Sequence, residues 1–237
     1  MKRIFCLLCA FAMLFLLCAC KDKGADAQSQ QETATMKTYI SKDSVNEFME
    51  LLDGETDLGG LSGGYVLDKT HCYNVTPPQV AAETNMKIFK FSDSCASFVV
   101  VDNYIYELCV SFGGYGFVNA VPCDFDNDGN KDLLVASSWG SGVHRSIISI
   151  FNSVTKESTV LYNTSSTDNP DVDLFVSITS PSLSSIDSKD LPIYYDVYSA
   201  KITVNDANFV DLSYVATGLV GTIQVENDTP VFVPYSN

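Results

Sequence analysis

Apolar positions follow two different spacings along the chain. Between residues 36 and 58 they recur at i, i+3, i+4 and i+7, a spacing that places them on one face of a helix. The residues with this spacing are Val45, Phe48, Met49 and Leu52. This part of the chain is therefore predicted to form one N-terminal amphipathic helix whose apolar face covers a sheet.

From Lys87 onward the apolar residues instead form short runs rich in Val, Ile, Tyr and Phe. Turn-forming residues separate the runs, as Asp102 and Asn103 do between the first two, and this arrangement is typical of antiparallel strands. The predicted strands are residues 97–101, 104–111, 131–136, 146–151, 173–178, 193–204, 210–216 and 219–225. The Pro- and Ser-rich residues 177–191 are predicted to form a loop. Many short strands with regular turns indicate a mainly β body.

The first twenty residues have the character of an export signal. Lys2 and Arg3 precede an apolar run, residues 4–17, that is too short for an ordinary transmembrane helix. The run ends in the letters LCAC, with Cys20 last, which resembles the bacterial lipobox. This resemblance implies cleavage before Cys20 and diacylation of that cysteine, and two acyl chains anchor a protein stably. The alternative is a plain secretory signal without lipid.

These features divide the chain into three parts. Residues 1–19 are predicted to be a lipoprotein signal peptide, and residues 20–35 a flexible tether held in the membrane by lipid on Cys20. Residues 36–237 are predicted to be a β-rich domain. The expected location is the bacterial cell membrane, with the domain facing outside the cytoplasm. The formal net charge of −15 is unfavourable for binding nucleic acid, because such binding requires a basic surface.

The densest cluster of charge is the stretch CDFDNDGNKD, residues 123–132. Its acidic residues are Asp124, Asp126, Asp128 and Asp132. Carboxylate oxygens are ligands that Ca²⁺ prefers, and Gly129 permits the sharp turn that such a loop needs. An EF-hand would place a bidentate Glu at the twelfth position, where this chain has Val135. The spacing therefore favours a nine-residue loop, DxDxDGxxD, that runs straight into a strand.

Residues 112–152, FGGYGFVNAVPCDFDNDGNKDLLVASSWGSGVHRSIISIFN, resemble an FG-GAP/VCBS-type repeat, the blade repeat of integrin-like β-propellers. The likeness lies in the order of strand, acidic loop, strand reading DLLV, Gly/Ser turn and strand. It implies one structural Ca²⁺ ion that joins the loop to two strands of a blade. The implied ligands are the side chains of Asp124, Asp126, Asp128 and Asp132 and the backbone carbonyl of Asn130.

The motif occurs once in this chain, whereas propellers of that family repeat it in several blades. The resemblance therefore implies blade-like antiparallel sheets, arranged either as an irregular small propeller or as a compact β domain. A fainter copy lies 41 residues later, where Asp173-Leu-Phe-Val matches Asp132-Leu-Leu-Val. At the positions of Asp124, Asp126, Asp128 and Gly129 this copy has Ser165, Thr167, Asn169 and Pro170, so it is either a degenerate blade without metal or a chance match.

Little in the sequence points to catalysis. His71 and His144 are the two histidines, and the chain lacks the serine motif of a hydrolase nucleophile. Four further cysteines follow Cys20, and they could form two disulfides or remain buried thiols. These cysteines are Cys72, Cys95, Cys109 and Cys123.

By resemblance, the expected role is a binding or assembly module of the envelope, with a surface glycan or protein as its ligand. The alternative is an envelope hydrolase that acts on glycan or peptide. A cleft with His144, or two unpaired carboxylates away from the acidic loop, would favour the hydrolase, and exposed aromatic residues would favour the binding module. The candidates for such an aromatic patch are Tyr115, Phe117 and Trp139, with core packing as the alternative for each.

Overall fold

The computed structural model describes residues 35–42, 44–54, 67, 69–109, 112–168, 171–179, 193–227 and 229–235. All of them belong to one compact unit, Thr33–Asn237. The predicted signal peptide, Cys20 and all but the last residue of the predicted tether lie outside the described residues. Within these ranges, no helix has the length and apolar character needed to cross a membrane.

The described part of the chain is mainly β, as predicted, with thirteen strands and two α-helices. The strands are β1 (Thr35–Lys37), β2 (Cys72–Asn74), β3 (Lys87–Phe91), β4 (Ser97–Val101), β5 (Tyr104–Cys109), β6 (Gly116–Cys123), β7 (Asp132–Trp139), β8 (Arg145–Phe151), β9 (Ser158–Asn163), β10 (Asp173–Thr179), β11 (Tyr194–Val204), β12 (Leu212–Glu226) and β13 (Thr229–Pro234). The helices are α1 (Val45–Gly54) and α2 (Pro78–Glu83).

The strands form three antiparallel sheets within the described residues. Sheet 1 has the order β2-β3-β4-β5 and sheet 2 the order β6-β7-β8-β9, so that consecutive strands are neighbours. Sheet 3 contains β10, β11 and β12, with β1 and β13 paired to different parts of β12. The predicted turn between β4 and β5 is confirmed, because Asp102 and Asn103 have φ angles of 53° and 64°, which a type I′ turn requires.

Helix α1 covers the outer face of sheet 1, as its amphipathic pattern predicts. Phe48 and Leu52 are each 1% exposed. The ring of Phe48 stacks on that of Phe89 in β3, with 4.2 Å between the ring centroids. The burial of these side chains removes a large apolar area from water, which is the main term that holds the helix on the sheet.

Sheet 2 lies between the other two sheets. One face packs on sheet 1 through a cluster that includes Leu108, Phe117 and Phe151. The other face packs on sheet 3 through Leu134 and Phe175 among others. Both faces of β6 and β7 are consequently buried, which explains why these strands read as continuous apolar and small residues rather than as an alternating pattern. The stack of layers is a compact β domain of blade-like antiparallel sheets.

The four described cysteines, Cys72, Cys95, Cys109 and Cys123, are buried and free. The sequence left open two disulfides or buried thiols, and the structure has buried thiols. Burial raises the pKa of Cys72 and of Cys109 to about 12, so that both remain protonated at neutral pH.

Candidate functional site

The acidic loop joins β6 to β7 at one end of sheet 2. It brings together Asp124, Asp126 and Asp128, and one carboxylate oxygen of each lies within 4.8 Å of the others. Asp124 is partly buried, whereas the other two are exposed. These three residues form a group that could hold a metal ion.

Short-range hydrogen bonds fold the loop around this group. Oδ1 of Asp126 accepts a hydrogen bond from the backbone N–H of Asp128 at 3.3 Å. Oδ1 of Asp128 accepts one from the backbone N–H of Asn130 at 2.7 Å, and the side-chain amide of Asn130 donates to its Oδ2 at 3.1 Å. Asp and Asn favour such local turns, and Gly129 adopts the φ of 84° that the turn requires.

Asp132 is placed differently from the other three acids. Its side chain is buried, its Oδ1 accepts a hydrogen bond from the backbone N–H of Ser153 at 2.7 Å, and its Oδ2 accepts one from Asn152 at 3.2 Å. Burial raises the pKa of this carboxyl group, while the bonds to Ser153 lower it. Asp132 therefore attaches β7 to the turn between β8 and β9, and its role as a metal ligand stays a prediction.

Asn152 connects the two parts of the site. Its side-chain amide donates to Oδ2 of Asp126 at 3.3 Å as well as to Asp132. Its side-chain Oδ1 accepts hydrogen bonds from the backbone N–H groups of Val154 and Thr155. One side chain thus joins the acidic loop to the neighbouring turn.

One atom of the site lacks a partner among the described residues. Oδ1 of Asp124 is buried and accepts no hydrogen bond. A buried carboxylate oxygen without a partner is unfavourable, and most such atoms in proteins are satisfied by a donor, a water or an ion. A cation held by the three carboxylates would supply this partner, so the residues present fit a metal ion.

Compared with known proteins, the chain matches no family model, no curated protein and no solved structure. The FG-GAP/VCBS resemblance therefore stays a prediction. The structure does contain, in the order that the resemblance implies, β6, the acidic loop, β7, a turn at residues 140–144 and β8.

Aromatic and charged side chains gather at the opposite end of sheet 2. Strand β7 begins at Asp132 and ends at Trp139, so its two ends are about 23 Å apart for eight extended residues. We call Tyr115, His144 and Asp173, which interact with one another, the distal cluster. Trp139 and Arg145 lie at the same end of sheet 2 but on its other face, since Ser146, the neighbour of Arg145, faces sheet 3. Phe117, which the sequence offered as a third aromatic candidate, is 1% exposed and belongs to the core instead.

Ring contacts order the side chains at this end of sheet 2. The rings of Tyr115 and His144 meet edge to face, with centroids 4.7 Å apart. The guanidinium of Arg145 lies 5.3 Å from the centroid of the Trp139 ring, a cation–π contact between paired residues of β7 and β8. The partly buried Tyr115 and Trp139 therefore have defined positions.

Asp173 enters the distal cluster from sheet 3, and sequence reasoning did not assign it a role. Ser146 in β8 bonds the residues on both sides of Asp173. The hydroxyl of Ser146 donates to the carbonyl of Val172 at 2.8 Å and accepts from the N–H of Leu174 at 3.2 Å, which positions Asp173. Burial raises the pKa of Asp173 to about 6, while His144 lowers it and Asp171 raises it. The repeated D-L-x-V pattern was the one signal in the sequence that singled out this residue.

Proposed function

We propose that this protein is a lipid-anchored module of the bacterial cell surface whose β domain is stabilised by one Ca²⁺ ion in the acidic loop. The observation that carries the proposal is the group of carboxylates at Asp124, Asp126 and Asp128. Like charges this close repel one another, and a divalent cation between them removes the repulsion and gives Asp124 its missing partner. The FG-GAP/VCBS resemblance supports the same ion and adds Asp132 and the carbonyl of Asn130 as ligands.

The ligand chemistry favours Ca²⁺ over other divalent cations. The three grouped donors are carboxylate oxygens, which hard cations prefer, whereas structural Zn²⁺ sites use mainly nitrogen and sulfur. Ca²⁺ accepts irregular coordination by about six to eight oxygens, and Mg²⁺ requires near-ideal octahedral geometry. An irregular loop of carboxylates suits the first ion better.

The role of the ion is structural in this proposal. The loop joins β6 to β7, and Asn152 extends its contacts to the turn between β8 and β9. An ion bound in the loop would therefore hold together two connections of sheet 2. Because sheet 2 contacts both other sheets, the ion stabilises the whole domain for a binding or assembly role at the envelope.

The experiment that tests the ion measures thermal unfolding in Ca²⁺ and in chelator. A ligand that binds only the folded state stabilises it by about 2.7 kcal/mol at a concentration 100 times Kd. For a domain of this size we expect the Tm to rise by about 5–10 °C. Asp126→Asn should lose most of this rise, whereas Glu226→Gln, an exposed acid on sheet 3, should keep it. An equal Tm in Ca²⁺ and chelator would refute the ion.

Lipid on Cys20 is the proposed link to the membrane. The predicted tether leads into β1, where Thr35 pairs with Val215 of β12. Cys20→Ser is expected to move the protein from the membrane fraction to the soluble fraction and to abolish labelling by a fatty-acid analogue. Labelling that persists in this variant would contradict the anchor.

A hydrolase is the second candidate, and one observation favours it. His144 and the carboxylates of Asp171 and Asp173 interact electrostatically away from the acidic loop. A histidine beside a carboxyl group of raised pKa has the elements of acid–base chemistry. Release of new reducing ends from a glycan, or of new amines from a peptide, would support this candidate over the binding module.

A further inference from the structure

Phe125 is the one apolar residue inside the acidic loop. It lies between Asp124 and Asp126, yet its side chain is only 6% exposed and belongs to the apolar cluster that sheets 2 and 3 share. The carboxylates of its two neighbours gather at the proposed ion site. The side chains of these three successive residues therefore alternate between the ion site and the core.

The ring that Phe125 contacts belongs to sheet 3. The centroids of the Phe125 and Tyr195 rings are 4.7 Å apart, within the range at which aromatic rings attract one another. Tyr195 lies in β11, where it pairs with Ile178 of β10 on one side and with Ile223 of β12 on the other. The acidic loop of sheet 2 thus rests on a side chain that two neighbouring strands of sheet 3 hold in place.

Tyr195 also interacts with the first acid of the loop. Burial raises the pKa of Tyr195 to about 12, and the charges of Cys123, Asp124 and Glu83 act in the same direction. The phenol is therefore neutral at neutral pH. Replacing Tyr195 with an apolar residue would remove a ring contact and leave the net charge around the ion site unchanged.

The buried ring restricts the ligands of the proposed ion. Asp124 and Asp126 flank Phe125 directly, so a displacement of the Phe125 backbone would move both carboxylates. Ca²⁺ requires its oxygens at about 2.3–2.6 Å, and a loop that is already held in place loses less freedom when it binds. Asn152 fixes Asp126 from the side of sheet 2. Phe125 supplies a second attachment, to sheet 3.

We propose that Phe125 and Tyr195 are positioning residues of the ion site, and that the affinity for Ca²⁺ depends on the packing of sheet 3 against sheet 2. This inference rests on the proposed ion and concerns its regulation. Coupling of this kind is reciprocal, so the contact strengthens Ca²⁺ binding by the same factor by which Ca²⁺ strengthens the contact. A partner that displaced sheet 3 would therefore release the ion.

The experiment is a calorimetric titration of the full chain with Ca²⁺, in a nonionic detergent and at a temperature well below every Tm. Phe125→Leu keeps an apolar side chain and removes the ring. Tyr195→Leu removes the partner ring outside the loop, so it tests the contact even where a loop variant does not fold. Each should weaken Ca²⁺ binding about 10-fold, the lower end of what residues that orient metal ligands contribute.

Phe175→Leu is the matched control. Phe175 is 4% exposed, and its ring stacks on Tyr198, another tyrosine of β11, with the centroids 5.3 Å apart. It lies in β10, outside the acidic loop. This variant should lower the Tm as Phe125→Leu does and bind Ca²⁺ as the parent does. The comparison separates the positioning of ion ligands from a general loss of stability.

A variant with both substitutions, Phe125→Leu and Tyr195→Leu, tests whether the two rings act through their mutual contact. Independent effects would multiply to a loss of about 100-fold, whereas effects that share one contact are not additive in free energy. We expect the double variant to lose about as much affinity as either single variant.

Three results would overturn the inference: unchanged Ca²⁺ affinity in either folded single variant, an equal loss in Phe175→Leu, or losses that multiply in the double variant. Any of these in a series whose parent binds Ca²⁺ refutes the coupling and leaves the ion intact. A parent that binds no Ca²⁺ refutes the ion itself, and the positioning role with it.

Discussion

The ammonium group of Lys90 donates a hydrogen bond to the backbone carbonyl of Phe209 at 2.6 Å, across 119 residues of sequence. Lys90 belongs to β3 of sheet 1 and is 1% exposed. Phe209 belongs to the loop between β11 and β12 of sheet 3. Tyr73 reinforces the same contact, since its hydroxyl accepts a hydrogen bond from Asn208 at 3.0 Å. These bonds attach the loop of sheet 3 to sheet 1.

Lys90 should make the free energy of unfolding depend on pH in the alkaline range. Burial lowers its pKa to about 8, while Cys95, Cys109 and Asp206 act in the opposite direction. An unfolded lysine titrates near about 10.4, so the unfolded chain binds more protons between these two values and stability rises with pH across that window. Burial raises the pKa of both thiols, that of Cys109 to about 12.

The measurement compares urea unfolding of the parent and of Lys90→Met between pH 7.5 and 10. We expect the parent to gain up to about 3 kcal/mol relative to the variant, because each pKa unit corresponds to about 1.4 kcal/mol. Parallel curves for the two proteins would show that Lys90 titrates in the folded state as it does in the unfolded chain.

Asn152→Ala should weaken Ca²⁺ binding without removing a proposed ligand. The side chain orients Asp126 and Asp132, and residues that orient metal ligands typically contribute about 10–100-fold in affinity. Calorimetric titration with Ca²⁺ measures this loss. Asn205→Ala is the matched control, because the side-chain amide of Asn205 also donates two hydrogen bonds but lies in the loop between β11 and β12. It should lower the Tm and leave the Ca²⁺ affinity unchanged.

Asp173→Asn should stabilise the domain at pH 7. The pKa of Asp173 is raised to about 6, and an unfolded aspartate titrates near about 3.9. The folded state therefore binds more protons between these values, and the parent loses stability as pH rises through them. Solvent screening reduces the effect to about 1 kcal/mol at pH 7. Urea unfolding should give a smaller difference at pH 4, and a difference that grows on acidification would contradict the burial of this carboxylate.

Gly116→Ala should destabilise the contact between sheets 1 and 2. Gly116 has a φ of 62°, and a Cβ atom there would lie 2.3 Å from the carbonyl oxygen of Cys95. We expect a loss of about 2–4 kcal/mol from the clash and the backbone strain together. Gly142→Ala is the control for strain alone, because its φ is 88° and no atom lies within 4 Å of its Cβ position. It should cost about 1–2 kcal/mol. Equal losses in thermal melts would remove the clash as the cause.

Elements that depend on local pattern were predicted well. The ranges 97–101 and 104–111 correspond to Ser97–Val101 and Tyr104–Cys109, because a buried apolar run and a turn of Asp and Asn specify both. The helix over Val45–Gly54 followed from its apolar face in the same way. Helix α2 begins at Pro78, since proline is tolerated in the first turn of a helix.

Elements that depend on distant partners were missed or misjudged. Strand β9 has mostly exposed and half-buried residues and no strong pattern, and its pairing with β8 defines it. Residues 210–216 and 219–225 were predicted as two strands, whereas β12 is one strand of 15 residues. The pairing of β11 with β12 shifts register between Val197 and Ala200. These bulges accommodate the irregular part of β12, so β12 continues without a turn.

The candidate sites likewise include residues whose grouping the sequence predicts and residues whose grouping it does not. The grouping of Asp124, Asp126 and Asp128 follows from their spacing in one loop, and the structure has it. The engagement of Asp132 by Asn152 and Ser153 depends on the neighbouring turn, which the sequence does not connect to the loop. The distal cluster depends on the stacking of sheets 2 and 3, so no local pattern could assemble it.

The position of β7 in the middle of the middle layer has a consequence for the exchange of backbone protons with solvent. Residues 133–136 are 0% exposed, and their strand is paired on both sides, with β6 and β8. Amide protons so placed exchange only when the whole domain opens. Their exchange rate should slow, on adding Ca²⁺, by the same factor by which the ion stabilises the folded state. The exchange of four amides at the centre of the domain would then report on Ca²⁺ binding in the acidic loop at its edge.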